Sequence, residues 1–254
     1  MRNQFLTLVN HDADRETNVM RSVVFALILA LASAPSAQAG AWLREKGKGF
    51  VSTSVQTTEN NGSSVSFYME YGLGEKVTIG ADITYDTEIL NYVAGADIAA
   101  TTIEDVPIGS GILFARFPLG PVDQPNKWAF HLGIGARYFE AEFLKAAELG
   151  LSWGRGIQIG DKYGWVNVDS SYNDAEAPAK ARIKVDGTVG LGLTDTTKVM
   201  MQMFNTFEDG QSFSKLSPSL LFSPGRGRVT FQFSSEIPVE SGEASLKLGV
   251  WTEF

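Results

Sequence analysis

Between Lys127 and Phe139 the chain alternates with a period of two. Trp128, Phe130, Leu132, Ile134, Ala136 and Tyr138 fall on one face of an extended segment. Lys127, Ala129, His131, Gly133, Gly135, Arg137 and Phe139 fall on the other. A helix would scatter these residues around its axis, whereas a strand makes one face continuously apolar. The pattern recurs. Val65, Phe67, Met69 and Tyr71 alternate with small or polar residues, as do Val77, Ile79, Ala81, Ile83 and Tyr85. So do Ala147 to Trp153, Ile183 to Leu193 and Val229 to Phe233, with weaker segments at Phe50–Thr57, Ile108–Phe117, Tyr163–Tyr172, Val199–Phe207 and Leu216–Phe222. Gly, Pro, Asp and Asn clusters punctuate them. With the C-terminal segment this gives about twelve strands, most near the nine to eleven residues that a tilted membrane strand needs.

Ser245 to Phe254 is the clearest of these. Leu246, Leu248, Val250, Thr252 and Phe254 share one face, Lys247, Gly249, Trp251 and Glu253 the other, and the chain ends on an aromatic residue. This resembles the C-terminal signal by which outer-membrane proteins engage the barrel-assembly machinery, with Trp251 and Phe254 as its aromatic elements. An unpaired last strand is an open template until it closes against the first. The expected partner is Phe50–Thr57, with Phe254 at the periplasmic rim. The expected fold is all-β: a single antiparallel up-and-down transmembrane β-barrel of about 12 strands. The structural rival is an exported soluble β-sandwich, which also alternates but buries its aromatics between sheets.

The N-terminal region reads as processing rather than fold. Met20-Arg21-Ser22 leads into an uncharged run from Val23 to Ala32 and then Ala37-Gln38-Ala39-Gly40. This is a cleavable signal peptide, with a core too short to span a bilayer as a helix. The expected organisation is residues 1–19 as a mis-annotated extension, 20–39 as signal peptide and 40–254 as barrel. Asp12, Asp14 and Glu16 are foreign to a signal n-region, so translation is expected to start at Met20.

Connection lengths give an independent check. Gly72–Lys76, Gly160–Lys162, Thr194–Lys198 and Ser223–Gly227 are short and fall on one side, the expected periplasmic side, with Pro118–Asn126 the longer exception. The longest connection, Thr87 to Pro107, falls on the other side. Thr58–Ser63, Glu140–Ala146, Asn173–Ala179, Glu208–Ser212 and Pro238–Gly242 are expected as modest outer loops.

Composition then removes function classes. With no cysteine the chain has no disulfides, Cys-held metal, thiol nucleophile or lipoprotein anchor. A formal net charge of −8 argues against nucleic-acid partners. Only His11 and His131 are available as imidazoles, so no multi-histidine metal centre is possible. No cofactor and no catalytic role is expected. His131 has no serine beside it on its own strand, although Ser110 or Ser152 on a neighbouring strand leaves a membrane-embedded hydrolase as an alternative. Trp128, Tyr138, Trp153, Tyr163, Trp165 and Tyr172 are expected in interfacial girdles. The lumen-lining candidates are Arg116, Arg137, Arg155, Arg182, Lys184, Glu148, Asp169 and His131, facing further carboxylates at Glu70, Asp82 and Asp186. Such a wall either pairs its charges into a plugged interior or leaves a pore whose field orients a polar solute.

The stretch Met69-Glu70-Tyr71-Gly72-Leu73-Gly74-Glu75-Lys76-Val77-Thr78-Ile79-Gly80 resembles a signature of a proteobacterial outer-membrane β-barrel family with a Glu-Tyr-Gly-Leu turn. Gly40-Ala41-Trp42 and Gly47-Lys48-Gly49 are similar to the start of its members. Some members are channels, including the group associated with phenol-degradation operons. The resemblance implies the fold, the outer membrane with its lipid and lipopolysaccharide, and passage of a small solute. It supplies no functional residues.

Overall fold

The computed structural model describes residues 40–59, 62–87, 109–121, 123–139, 142–225 and 228–254. The expected extension, the signal peptide and nearly all of the long Thr87–Pro107 connection lie outside the described residues.

Twelve strands follow in chain order: β1 (Gly49–Thr58), β2 (Ser63–Gly74), β3 (Val77–Thr87), β4 (Gly109–Pro118), β5 (Asn126–Phe139), β6 (Glu142–Ile159), β7 (Lys162–Ala175), β8 (Arg182–Gly192), β9 (Thr197–Glu208), β10 (Gln211–Phe222), β11 (Val229–Pro238) and β12 (Ser245–Glu253). Each is antiparallel to its chain neighbours, and β12 returns to β1, so the sheet is a closed barrel. The closing register runs from Phe50 opposite Glu253 to Thr58 opposite Ser245. Gly49 and Phe254 then exchange two backbone hydrogen bonds of 2.7 and 3.0 Å at the rim. Closure leaves no edge with unpaired backbone groups, the condition for a sheet to stand in hydrocarbon.

The two faces of this wall decide between barrel and sandwich. Outward residues remain exposed to their surroundings: Ile134 is 72% exposed, Leu246 66%, Leu113 63% and Leu248 60%. The inward face carries many buried polar residues, among them Thr78, Ser152, Ser217 and Gln232. A soluble sandwich has the opposite arrangement, because leaving each large aliphatic side chain in water forgoes about 1.5–3 kcal/mol. In a bilayer the same belt is solvated by lipid chains. Aromatic pairs flank the belt. Phe117–Phe130 and Trp128–Trp153, with centroids 5.2 and 6.4 Å apart, lie toward the end where Gly49 meets Phe254, and Tyr138–Phe143 at 4.9 Å lies toward the other.

Three expectations are corrected. Of the expected loop Glu140–Ala146, residues 142–146 belong to β6, because the β5–β6 ladder continues to Phe139 opposite Glu142. The alternation fails there because consecutive apolar residues face opposite ways: Phe143 is 78% exposed and Leu144 5%. β6 thereby reaches 18 residues, about 60 Å of strand, more than the hydrocarbon core requires even when tilted. Asn173–Ala179 likewise shrinks, since β7 extends to Ala175. Trp165, expected in a girdle, is only 6% exposed and packs inside with Met200 and Leu221.

Candidate functional site

The interior is built in three levels, beginning at the end where Gly49 meets Phe254. Here the segment from Gly40 to Lys48 does not run along the wall. It turns into the barrel and crosses it. Gly47, at φ +78°, makes the turn with a conformation that L side chains rarely adopt. Its amide donates to the Gly72 carbonyl at 2.8 Å, while the Lys48 amide donates to the Glu45 carbonyl at 2.9 Å.

From this turn the strap is fixed at both walls. On the β2–β3 side, the Arg44 amide donates to Thr78 Oγ1 at 2.8 Å, and Arg44 Nε donates to Glu70 Oε2 at 2.7 Å. The Arg44 guanidinium also lies 4.5 Å from the centroid of the Phe50 ring. Glu70 is fully buried and is held in addition by Arg116 of β4 and by the Tyr68 hydroxyl, which donates at 2.6 Å. On the opposite side the Trp42 ring packs against the buried cluster of Trp165, Met200 and Leu221. It occupies the space that any side chain at Gly154 would fill. Ala41 is 2% exposed, and Gly40 reaches the side chains of Asn167 and Asp169 on β7. In a twelve-strand ring β2 and β7 are nearly diametric, so the strap spans the lumen.

Above the strap lies a cavity of about 820 Å³, room for roughly 27 waters at 30 Å³ each. Its wall is mixed: hydroxyl, amide and charged groups stand among the rings of Phe50, Phe114, Phe204 and Phe213. Ser52, Ser54, Gln56, Ser66, Thr84 and Gln202 supply neutral donors and acceptors. One ion-pair group and one histidine–carboxylate hydrogen bond lie within it. Lys215 and Lys247 both reach Glu236, at 3.4 and 3.6 Å. His131 Nε2 lies 3.0 Å from Glu148 Oε1, with the imidazole against the Phe114 ring. Asp82, Asp86, Asp169 and Asp186 have no cation at ion-pair distance among the described residues, and Lys184 has no carboxylate.

The outer level is a bridge. Arg137 of β5 donates to the Lys180 carbonyl at 2.6 Å and to Glu208 of β9 at 2.5 Å. Arg182 of β8 holds the other oxygen of Glu208 at 2.8 Å. Three strands separate β5 from β9 in the sheet, so this bond runs through the interior rather than along the wall.

Of the eight lumen candidates, the structure sets Arg116, Lys184, Glu148, Asp169 and His131 around the cavity and Arg137 and Arg182 in the outer bridge. Arg155 is the exception. It shares its face with Leu149, Leu151 and Trp153, is exposed, and does not line the cavity. Trp251 faces inward, where its indole N–H donates to Gln232 at 3.0 Å, while Phe254 packs its ring over Gly49 at the rim. The hydrogen bond of His131 is to Glu148 and not to a serine. The period-two pattern does not show the strap. Its trace in the sequence is a Trp-Leu-Arg triplet, Trp42 to Arg44, set between Gly40 and Gly47 just before the first strand.

In sequence, no protein-family model and no curated protein matches the chain. In structure it is similar to the KdgM porin in complex with disordered oligogalacturonate, with a TM-score of 0.53 and 5% identity, covering 81% of this chain and 99% of that one. LpxR from Salmonella typhimurium matches at 0.53 and 9% identity, over 80% and 99%. An outer membrane channel from Pseudomonas putida F1 matches at 0.50 and 12% identity, over 87% and 100%. With the apolar belt, these likenesses make the fold that of an outer-membrane β-barrel.

Proposed function

We propose that the protein is an outer-membrane channel for small polar solutes whose periplasmic end is closed by its own N-terminal strap. The observation that carries this reading is a cavity of about 820 Å³ inside a lipid-facing wall, with Asp82, Asp169, Asp186, Lys184 and several hydroxyls on its surface. A barrel built only as a scaffold has no need of such a volume, and filling it with side chains would add packing energy. The solute is neutral or cationic. The matched KdgM structure holds an acidic oligosaccharide, but here four lining aspartates without an ion-pair partner among the described residues, Asp82, Asp86, Asp169 and Asp186, outnumber the one such cation, Lys184, and disfavour a polyanion. Phe254 and the closing strand β12 are the features through which the assembly machinery would insert the barrel among outer-membrane lipid and lipopolysaccharide.

A second reading, a structural barrel with a plugged lumen, is favoured by the strap itself. Swelling of proteoliposomes in isotonic neutral sugar separates the two. Barrels carrying Arg44→Ala are expected to swell faster than the parent. Equal, background swelling by both would leave the structural reading.

A further inference from the structure

Asp169 of β7 and Asp186 of β8 stand directly opposite each other on the inward face, a like-charge pairing that destabilises a sheet. The Asp169 charge acts on Asp186, which is also acted on by Asp82 of β3. The cations nearby are only partly available. Lys184 acts on Asp186 and Asp82, and Arg116 is engaged by Glu70. Beside Asp169 lies Asn167, which is 3% exposed. Its Nδ2 donates to Asp169, but its Oδ1 is buried without any hydrogen-bond partner. Leaving such an acceptor unsatisfied is costly.

The backbone that meets these groups is that of Gly40. A Cβ there would stand 2.7 Å from Asp169 Oδ1 and closer still to Asn167 Oδ1. The Gly40 nitrogen is bonded to the same Cα, so it lies within about 5 Å of both oxygens. In the uncut chain that nitrogen is a neutral amide with one hydrogen. Cleavage after Ala39, where the Ala37-Gln38-Ala39 motif directs it, would turn it into an ammonium group with three donors and a positive charge.

We infer that the Asn167–Asp169 corner of the lumen is a receptor for the chain's own α-ammonium group, so that signal-peptide removal creates the group that latches the strap. The ammonium satisfies Asn167 Oδ1, neutralises Asp169 and relieves its repulsion with Asp186. The free strap end is thereby fixed at the wall opposite Arg44, and the barrel closes only once it has been exported and cut. This rests on the strap-closed reading above, but its test uses no conductance and so fails or succeeds separately.

The mature protein is extracted from outer membranes and its N-terminal residue determined by mass spectrometry. Gly40 is expected, and any other first residue overturns the inference. Hydrogen exchange of the strap amides is then compared in four proteins: the parent, Asp169→Asn, a chain lengthened by one alanine before Gly40, and the two changes combined. Each single change is expected to raise strap exchange about tenfold to a hundredfold, and the combination no further, because both remove the same bond. Unchanged exchange in the lengthened chain, or effects that add, would overturn the inference. If Asp169→Asn does not fold, the lengthened chain alone decides.

Discussion

Replacing Arg44 by Ala isolates the energetics of the strap. The Arg44 side chain is 11% exposed and its Nε lies 2.7 Å from a fully buried Glu70 oxygen. A charge-assisted hydrogen bond of this kind contributes about 2 kcal/mol. Its contact with the Phe50 ring at 4.5 Å contributes about 1 kcal/mol more. Truncation does not orphan Glu70, which keeps Arg116 and the Tyr68 hydroxyl, so no buried-charge penalty is added to the barrel itself. The loss of about 3 kcal/mol therefore falls on the strap equilibrium and amounts to about 150-fold. Native-state hydrogen exchange on the peptide covering residues 40–48 reads that equilibrium directly. Strap amides in Arg44→Ala are expected to exchange about a hundredfold faster, with strand amides unchanged and the compact form on denaturing gels retained. Lys46→Ala, an exposed change on the same segment, should leave exchange as it is. Parent-like protection in Arg44→Ala would refute the assignment of Arg44 as the strap's anchor.

Gly154→Val fills the space of the Trp42 ring and should release the strap from the other wall, again raising strap exchange and sugar-driven liposome swelling. Ile134→Lys places a charge in the lipid-facing belt, where Ile134 is 72% exposed. It should lower refolding stability by about 2–4 kcal/mol in a denaturant titration, as expected near the bilayer midplane. Arg155→Gln lies on the outer face and should not alter solute passage, whereas Lys184→Gln, on the cavity wall, should. Glu208→Gln removes the shared carboxylate of Arg137 and Arg182 and should increase exchange of amides around Lys180.

How far the sequence shows this depends on what the period-two signal can carry. Lys127–Phe139 and Ser245–Phe254 alternate cleanly because one face meets lipid and the other meets polar neighbours, so the fold, the strand number and the closing pair are all legible. The signal is lost where an inward residue is apolar. Leu144 beside Phe143 hides the first turn of β6, and Trp165 looks like a girdle residue because nothing local shows that it packs on Trp42. Arg155 faces outward because it is one residue out of phase with Gly154 and Glu148, and a slip of one position reverses the face. The strap was illegible for a different reason. Its contacts, Arg44 with Glu70 and Trp42 with Trp165, join segments tens of residues apart or more, and only the closed ring brings them together. Candidate charges could be named, but which were paired and which stood alone depended on distances across the lumen.

The central claim is that a polar conduit exists and that the strap closes it. Single-channel recording on refolded barrels beginning at Gly40 and at Gly47 tests it most directly. The chain beginning at Gly47 should show long-lived conductance steps, and the chain beginning at Gly40 only rare ones. Silence from both, or equal conductance from both, would contradict it.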